Sequence, residues 1–340
     1  MSIDESQKNR EPILDLLRWV AALLVAFSHW IFEVPSLFQS GLPNLMLPLA
    51  KVGGVGVPIF FIVSGYVISL TAANRASSLR FAYARFVRLF PGLLVSMVVV
   101  LVVGQRFITP YSRPLESFFA SISLTYNIFE IQPLTTVLWT IIAEIKFYFA
   151  IAVILLIHNK SFQKPFLILS LLAVLLILQA TGAAGVYSYI DGQLLEATKY
   201  FLLGISLYFF TRQLRKRSGI ALSFGVLCTI YYLQILGSDN FSISDGIISF
   251  SIVLIMFSSF VQFPDRLTVI ANTLGLASYP IYLVHTHLGT AIINILKARV
   301  ENVTFIFLGS IIALTLLCIG INLFAEKPLQ RAMKRIRILN

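Results

Sequence analysis

Charge is what this chain has least of. Only 12% of its 340 residues are Asp, Glu, Lys or Arg, against roughly 25% in a soluble globular protein. That deficit excludes an ordinary water-soluble fold. Acidic residues are the scarcer sign, 15 against 26 Lys and Arg, leaving a net charge of +11. In a soluble protein such an excess would suggest nucleic acid; here the placement of the cations explains it and no nucleic-acid partner is expected. Cysteine is almost missing, and Cys228 and Cys318 both sit inside apolar runs. This excludes a disulfide framework and a metal spacing, and thiols in such surroundings are poor nucleophiles. No metal is expected. No long polar stretch separates the apolar runs, so no second soluble domain is expected, and no internal repeat is visible. The N-terminus is not a cleavable signal peptide either, because its apolar segment is too long and holds Arg18 and His29.

What the chain does contain is hydrophobic sequence, 58% of all residues. Apolar runs of about 17–25 residues mark about ten spans. They lie near 13–33, 55–73, 87–105, 135–157, 165–181, 197–211, 219–236, 245–262, 272–294 and 303–325. The predicted fold is therefore all-α, a polytopic membrane helix bundle. Residues 1–12 form an N-terminal tail, 13–326 the membrane domain and 327–340 a basic C-terminal tail. With the N-terminus inside, 19 of the 26 Lys and Arg fall in the inner set and six in the outer set, with Lys146 inside a span. This bias predicts a multi-pass protein of the cell (inner) membrane with both termini in the cytoplasm. The connection from Leu79 to Gly92 is then cytoplasmic, and Glu326-Lys327-Pro328 closes the last span.

The first span, Ile13 to Glu33, carries Asp15, Arg18, His29 and Glu33. At about 100° per residue, His29 falls only about 20° from Arg18, while Asp15 and Glu33 fall about 60° away. All four share one stripe, with Ala22, Val25 and Ala26 between them. Arg18 and His29 stand roughly 16 Å apart along the axis, one toward each leaflet. Charge in hydrocarbon costs at least about 2.5–3.5 kcal/mol, so a shared stripe points to function. The blander alternative is a snorkelling Arg18 paired locally with Asp15, and a hydrogen-bonded packing histidine.

Further along, Val52 to Pro58 (VGGVGVP) favours irregular backbone, tolerated at membrane depth only where it lines a cavity. Ser64-Gly65-Tyr66 permits close helix packing. Arg85 and Arg88, with Arg80 before them and Pro91 behind, suit phosphate binding or simple orientation in the membrane. The stretch Leu115 to Phe129 reads as an interfacial or half-inserted helix. In the fourth span Trp139, Glu144 and Tyr148 lie at membrane depth, where a carboxylate is functional by default or part of an interhelical ion pair. The ninth span holds Ser278, Tyr279, Pro280, Tyr282, His285 and His287. Pro280 removes one helical hydrogen bond and should open the helix there.

In that order, these elements resemble the acyltransferase-3 family of integral membrane proteins, across nearly the whole chain. The most specific is Arg18 followed by ten residues and His29, behind Leu14-Asp15. Phe60-Phe61 with Ser64-Gly65-Tyr66, Arg85 with Arg88 and Pro91, and Trp139 with Glu144, Phe147 and Tyr148 follow. Ser278-Tyr279 with Tyr282 and His285, and Glu326-Lys327-Pro328, complete the set. Ile145 and Lys146 after Glu144 depart from the pattern, and the extracytoplasmic hydrolase-like domain that some members append is not seen. The resemblance implies an O-acyltransferase that moves an acyl group, usually acetyl, from cytoplasmic acyl-CoA to a carbohydrate or lipid-linked acceptor of the cell envelope. Transfer would finish within the membrane domain or through an extracytoplasmic partner transferase, with membrane lipids around it. Arg85, Arg88, Ser64, Gly65 and Tyr66 would bind the acyl-CoA donor. His29 would be the base, since an imidazole of pKa near 6.5 takes a hydroxyl proton at neutral pH. Arg18 would orient the donor or stabilise the oxyanion, and Glu144 would orient His29 or the acceptor. Trp139, Tyr148, Tyr282 and His285 are the candidate substrate contacts. A proton-coupled transporter or flippase of an envelope precursor is the rival class, because it too places ionisable residues inside helices.

Overall fold

The computed structural model describes residues 11–35, 52–73, 77–108, 110–157, 192–215, 243–258, 261 and 263–335. The helices are α1 (Pro12–Glu33), α2 (Gly56–Ala73), α3 (Ser78–Phe107), α4 (Pro114–Ser123), α5 (Leu138–Ile157), α6 (Gly192–Arg215) and α7 (Ile243–Phe257). They continue with α8 (Asp265–Val284), α9 (Thr290–Lys297), α10 (Val303–Ile321) and α11 (Lys327–Arg335). A 3₁₀ turn at Gly53–Val55 leads into α2. Two π turns, His285–Gly289 and Asn322–Glu326, join α8 to α9 and α10 to α11. Among the described residues there is no strand, and six helical segments are long and apolar enough to cross a membrane. The chain is an all-α membrane helix bundle. The spans expected near 165–181 and 219–236 lie outside the described residues, as do Arg75, Cys228 and the residues before Glu11 and after Arg335.

Two boundaries differ from the sequence reading. The arginine-bearing stretch from Leu79 to Gly92 is not a connection: α3 begins at Ser78 and runs through it, with Pro91 inside the helix. Arg85 and Arg88 are three apart, a helical spacing, and one proline costs a single ladder bond. The last span likewise does not close at Glu326-Lys327-Pro328. A π turn absorbs Asn322–Glu326, and the helix continues to Arg335 with Pro328 in its first turn, where the missing N–H is tolerated. Pro280 leaves α8 unbroken, and the departure from α-helix comes five residues later, at His285–Gly289.

The described contacts divide the chain into two compact units. One comprises residues 1–57, 85–142 and 263–340, the other 58–84 and 143–262, so α3 and α5 contribute to both. In the first unit α1 and α8 run parallel: Asp15 lies against Gly275, His29 against His285, and Trp30 against the His285 carbonyl. Gly275 makes this approach feasible, because any Cβ there would meet the Asp15 side chain. The apolar part of the stripe is buried: Ala22 and Ala26 are fully buried and Val25 nearly so. The 3₁₀ turn presses Gly53 onto Leu24 and Ser28 of the same helix. α10 runs opposite to α1, placing Phe307 4.4 Å from the Phe27 ring and 6.3 Å from that of Trp30. It buries Ile306, Ser310, Leu314 and Cys318 while exposing Phe305, Leu308, Ile312 and Leu316. A helix apolar all round is what a bundle face and a lipid face together require. The first and last described helix termini, Pro12 and Arg335, therefore lie at one end of this unit.

In the second unit the expected packing at Ser64-Gly65 is realised. A Cβ on Gly65 would meet the Phe201 carbonyl oxygen of α6, and one on Gly204 would meet that of Ile62. Two reciprocal glycines bring backbones together where the energy is van der Waals contact alone. The Phe147 and Phe201 rings stack 4.0 Å apart beside this crossing.

Backbone carbonyls do not yield as side chains do. Gly204→Ala should therefore destabilise by about 1–3 kcal/mol. Gly320→Ala, in α10 with nothing within 4 Å of its Cβ, should be neutral or stabilising by up to about 1 kcal/mol. Thermal unfolding of the two variants in one detergent checks the opposite signs.

Candidate functional site

Three of the four polar groups on the α1 stripe meet α8 and its π turn or α9. The middle contact is the informative one. His29 Nδ1 lies 2.8 Å from His285 Nε2, with the rings 4.9 Å apart. His285 is fully buried, and its Nδ1 lies 2.8 Å from the Tyr282 carbonyl oxygen. A carbonyl only accepts, so His285 Nδ1 carries the proton. The neutral ring then offers Nε2 as acceptor, and His29 Nδ1 donates to it. His29 is left with its Nε2 lone pair, and its own ring is half-buried. The Trp30 indole fixes the turn by donating to the His285 carbonyl at 2.9 Å. One rung further, Thr290 donates to Glu33 at 2.5 Å. The π turn permits both rungs, since its extra residue re-phases the helix between 285 and 290, a device common at functional sites.

His287, on the other side of the same turn, serves a second chain. Tyr111 donates to the Leu134 carbonyl at 2.7 Å, so the 2.7 Å contact between Tyr111 and His287 Nε2 takes its proton from the histidine. Thr286 then donates to His287 Nδ1 at 2.9 Å. Burial pushes the Tyr111 phenol up to about 12, so it keeps its proton across the physiological range. This chain ties the segment between α3 and α5 to the π turn and leaves no lone pair on His287. Thr140 donates to the Val137 carbonyl at 2.9 Å, so its 2.9 Å contact with Tyr282 takes the tyrosine proton, and the Tyr282 ring lies 6.0 Å from that of His285. Trp139 is half-buried on the same stretch as Thr140.

At the end of this unit that holds Pro12, the local pair weighed from sequence is present: Arg18 lies 3.8 Å from the buried Asp15. Arg88 sits 3.4 Å from Glu326, which is fully buried and also accepts from Asn322 and Gln330 at 2.8 Å each. The Arg88 guanidinium also lies 5.9 Å from the centre of the Tyr279 ring. One of the two arginines expected to hold phosphate is thus engaged by a carboxylate from the last helix. Arg85, one turn earlier, is half-buried.

In the second unit Glu144 accepts from Ser64 at 3.3 Å and from Tyr148. Tyr66 pairs with Thr211 at 3.3 Å. Ser64, Glu144 and Tyr148, called separately from sequence, form one cluster here. Sequence reasoning missed the Tyr111–His287 chain and the Asn322 and Gln330 partners of Glu326. Spacing could have found the last two, which lie four residues either side of that carboxylate on one helix face; nothing in the sequence pointed to Tyr111. Among the described residues, no three His, Cys, Asp or Glu side chains gather as a metal site.

The sequence matches the family described as an acyltransferase domain over residues 11–322. Nodulation protein 10 of Rhizobium leguminosarum bv. viciae is 28% identical over 179 residues, 46% of this chain and 47% of that protein. The chain thus spans about half the length of that relative. ORF330 of Acidianus two-tailed virus, whose name proposes an acetyltransferase, is 26% identical over 294 residues, 82% of this chain and 83% of that protein. Acyltransferase MdmB of Streptomyces mycarofaciens is 31% identical over 90 residues, 26% of this chain and 23% of that protein. No solved structure matches the chain.

The Arg88–Glu326 pair yields a stability test. Removing one partner of a buried pair costs about 3–5 kcal/mol, and Arg88→Ala should fall toward the lower end because its side chain is 30% exposed. Adding Glu326→Gln removes the stranded charge and should restore most of the thermal midpoint. If Arg88→Ala melts like wild type, the arginine is held for another purpose.

Proposed function

The chain belongs to the acyltransferase-3 family and is an acyl-transferring enzyme; from that premise we propose that it moves an acetyl group from acetyl-CoA to a hydroxyl of an envelope carbohydrate or lipid-linked acceptor. The observation that carries this reading is the His29–His285–Tyr282 chain. It leaves one unshared nitrogen, His29 Nε2, on a half-buried ring, which is what a general base for a hydroxyl needs. As His29 takes the hydroxyl proton, the acceptor oxygen attacks the thioester carbonyl. The carbon–sulfur bond breaks on collapse of the tetrahedral intermediate, and the proton ends on the departing thiolate. His285 acts as a positioning residue, because an imidazole that can only accept at Nε2 holds His29 in one tautomer.

Arg18 stands on the same helix face toward the Pro12 end, where Asp15 aims its guanidinium, and suits the donor's thioester arm or the oxyanion. Arg85 and Arg88, one turn apart on α3 and both half-buried, are the candidates for the donor's phosphates. The Glu144 cluster with Ser64 and Tyr148 is a second polar site, and Trp139 and Tyr282 flank the histidines as acceptor contacts. The name of the viral relative favours acetyl among acyl groups. The shared end of Pro12 and Arg335 supports a multi-pass protein of the inner membrane with both termini in the cytoplasm, an orientation in which His29 would lie in the outer leaflet.

The test uses purified protein, acetyl-labelled acetyl-CoA and envelope fractions as acceptor. His29→Gln keeps size and polarity but takes up no proton, and should lose about 10²–10⁴-fold in rate with coenzyme A binding unchanged. His285→Leu should lower the rate more than His285→Asn, whose side-chain oxygen still accepts from His29. Transfer should fall as pH drops, because protonation of His29 fills the nitrogen that accepts. Wild-type transfer by His29→Gln defeats the assignment. If no donor is used, yet a precursor crosses the bilayer only when His29 is present, the protein is a transporter.

A further inference from the structure

A pocket of about 120 Å³ opens between α8 and the junction of α10 with α11. It lies away from the histidines, and none of its side chains takes part in the chemistry above. Asn272 and Asn322 line it, 7% and 1% exposed, and the side-chain oxygen of each is buried with no hydrogen-bond partner. The orientation of Asn322 is set, because its amide nitrogen donates to Glu326 at 2.8 Å. Buried polar groups in folded proteins nearly always find partners, so two orphan acceptors on one pocket call for donors. A water needs only about 10–15 Å³ of such space, so the pocket has room for a larger group.

The remaining walls say what that group is attached to. Lys327 lines the pocket beside the apolar side chains of Val269, Leu276 and Leu323. Val269 and Leu323 are 62% and 42% exposed, and their neighbours Ile270 and Phe324 are exposed on the same helices. On a membrane helix such a surface faces acyl chains. Beyond it, α11 carries Lys327, Arg331, Lys334 and Arg335 with no acidic residue, so the local field attracts negative charge. The occupant needs hydroxyl donors, an anionic phosphate and fatty chains together.

We propose that this pocket binds an anionic glycerophospholipid of the phosphatidylglycerol kind. Its head-group hydroxyls meet the Asn272 and Asn322 oxygens, its phosphate meets Lys327, and its chains lie along Leu276 and Leu323. Phosphatidylcholine carries the phosphate and the chains but no donor, and is the matched control.

Delipidated wild-type protein would be titrated with dioleoyl phosphatidylglycerol and with dioleoyl phosphatidylcholine, and adducts counted by native mass spectrometry. Phosphatidylglycerol should bind about tenfold tighter, the scale of one or two hydrogen bonds to a buried group. Asn272→Leu and Lys327→Gln should each reduce that preference to near parity, with thermal unfolding confirming that the fold survives. Lys327→Gln decides the matter alone if the core variant does not fold. Equal binding of the two lipids overturns the proposal, as does a preference that survives both substitutions. Competition by coenzyme A for the same adduct would assign the pocket to the acyl donor and equally overturn it.

Discussion

The carbonyl oxygen of Tyr282 can accept a hydrogen bond and cannot give one, and inside an apolar bundle that asymmetry propagates. It places the His285 proton on Nδ1, makes Nε2 an acceptor, and so turns His29 to donate from Nδ1. Each link costs little, yet each leaves one arrangement for the next. The outcome is a histidine whose far nitrogen is unshared. The same logic fixes the other tautomer two residues on: His287 donates from Nε2, because Tyr111 has already sent its proton to Leu134, and accepts from Thr286 at Nδ1. Two histidines in one π turn thus take opposite tautomers, set by which neighbouring groups are able to donate, while His29 on the facing helix keeps the unshared nitrogen.

For that chain to form, two parallel helices must approach closely over several turns. The small residues of α1 and the absent Cβ of Gly275 supply the proximity. The π turn supplies the phase, since an uninterrupted α-helix would rotate Thr290 away from Glu33 once His285 faced His29. Apolar association between membrane helices is weak, as lipid solvates them equally well, so packing geometry and a few polar rungs decide the pairing. The His29–His285, Trp30–His285 and Glu33–Thr290 contacts are therefore part of the fold as well as of the candidate site.

The opposite end of this unit shows cations put to different uses. Arg18 stays with Asp15 on its own helix, whereas Arg88 reaches a buried carboxylate from the far end of the chain. A charge as deeply buried as Glu326 is not tolerated without partners, so Arg88, Asn322 and Gln330 are structural necessities before they are anything else. The two arginines look alike in sequence, and only the tertiary structure shows that one carboxylate is a neighbour on the same helix and the other comes from the last helix.

By itself the sequence determined the class of fold, because length and hydropathy set helix existence wherever the solvent is hydrocarbon. It also determined that Asp15, His29 and Glu33 share a face, because 3.6-residue periodicity is a local property of one helix. The approximate spans and the small-residue packing at Ser64-Gly65 were legible for the same reason, as was the family, through the order of short motifs. The continuation of α3 through its arginines and of the last helix past Pro328 was not, since proline and charge weaken a helix locally while tertiary contacts restore it. Nor were the partner of His29, the division of labour between His285 and His287, or the engagement of Arg88 by Glu326. Those pairings join residues more than 170 positions apart, and no local periodicity encodes which helix face another will meet. Only close packing in three dimensions decided them.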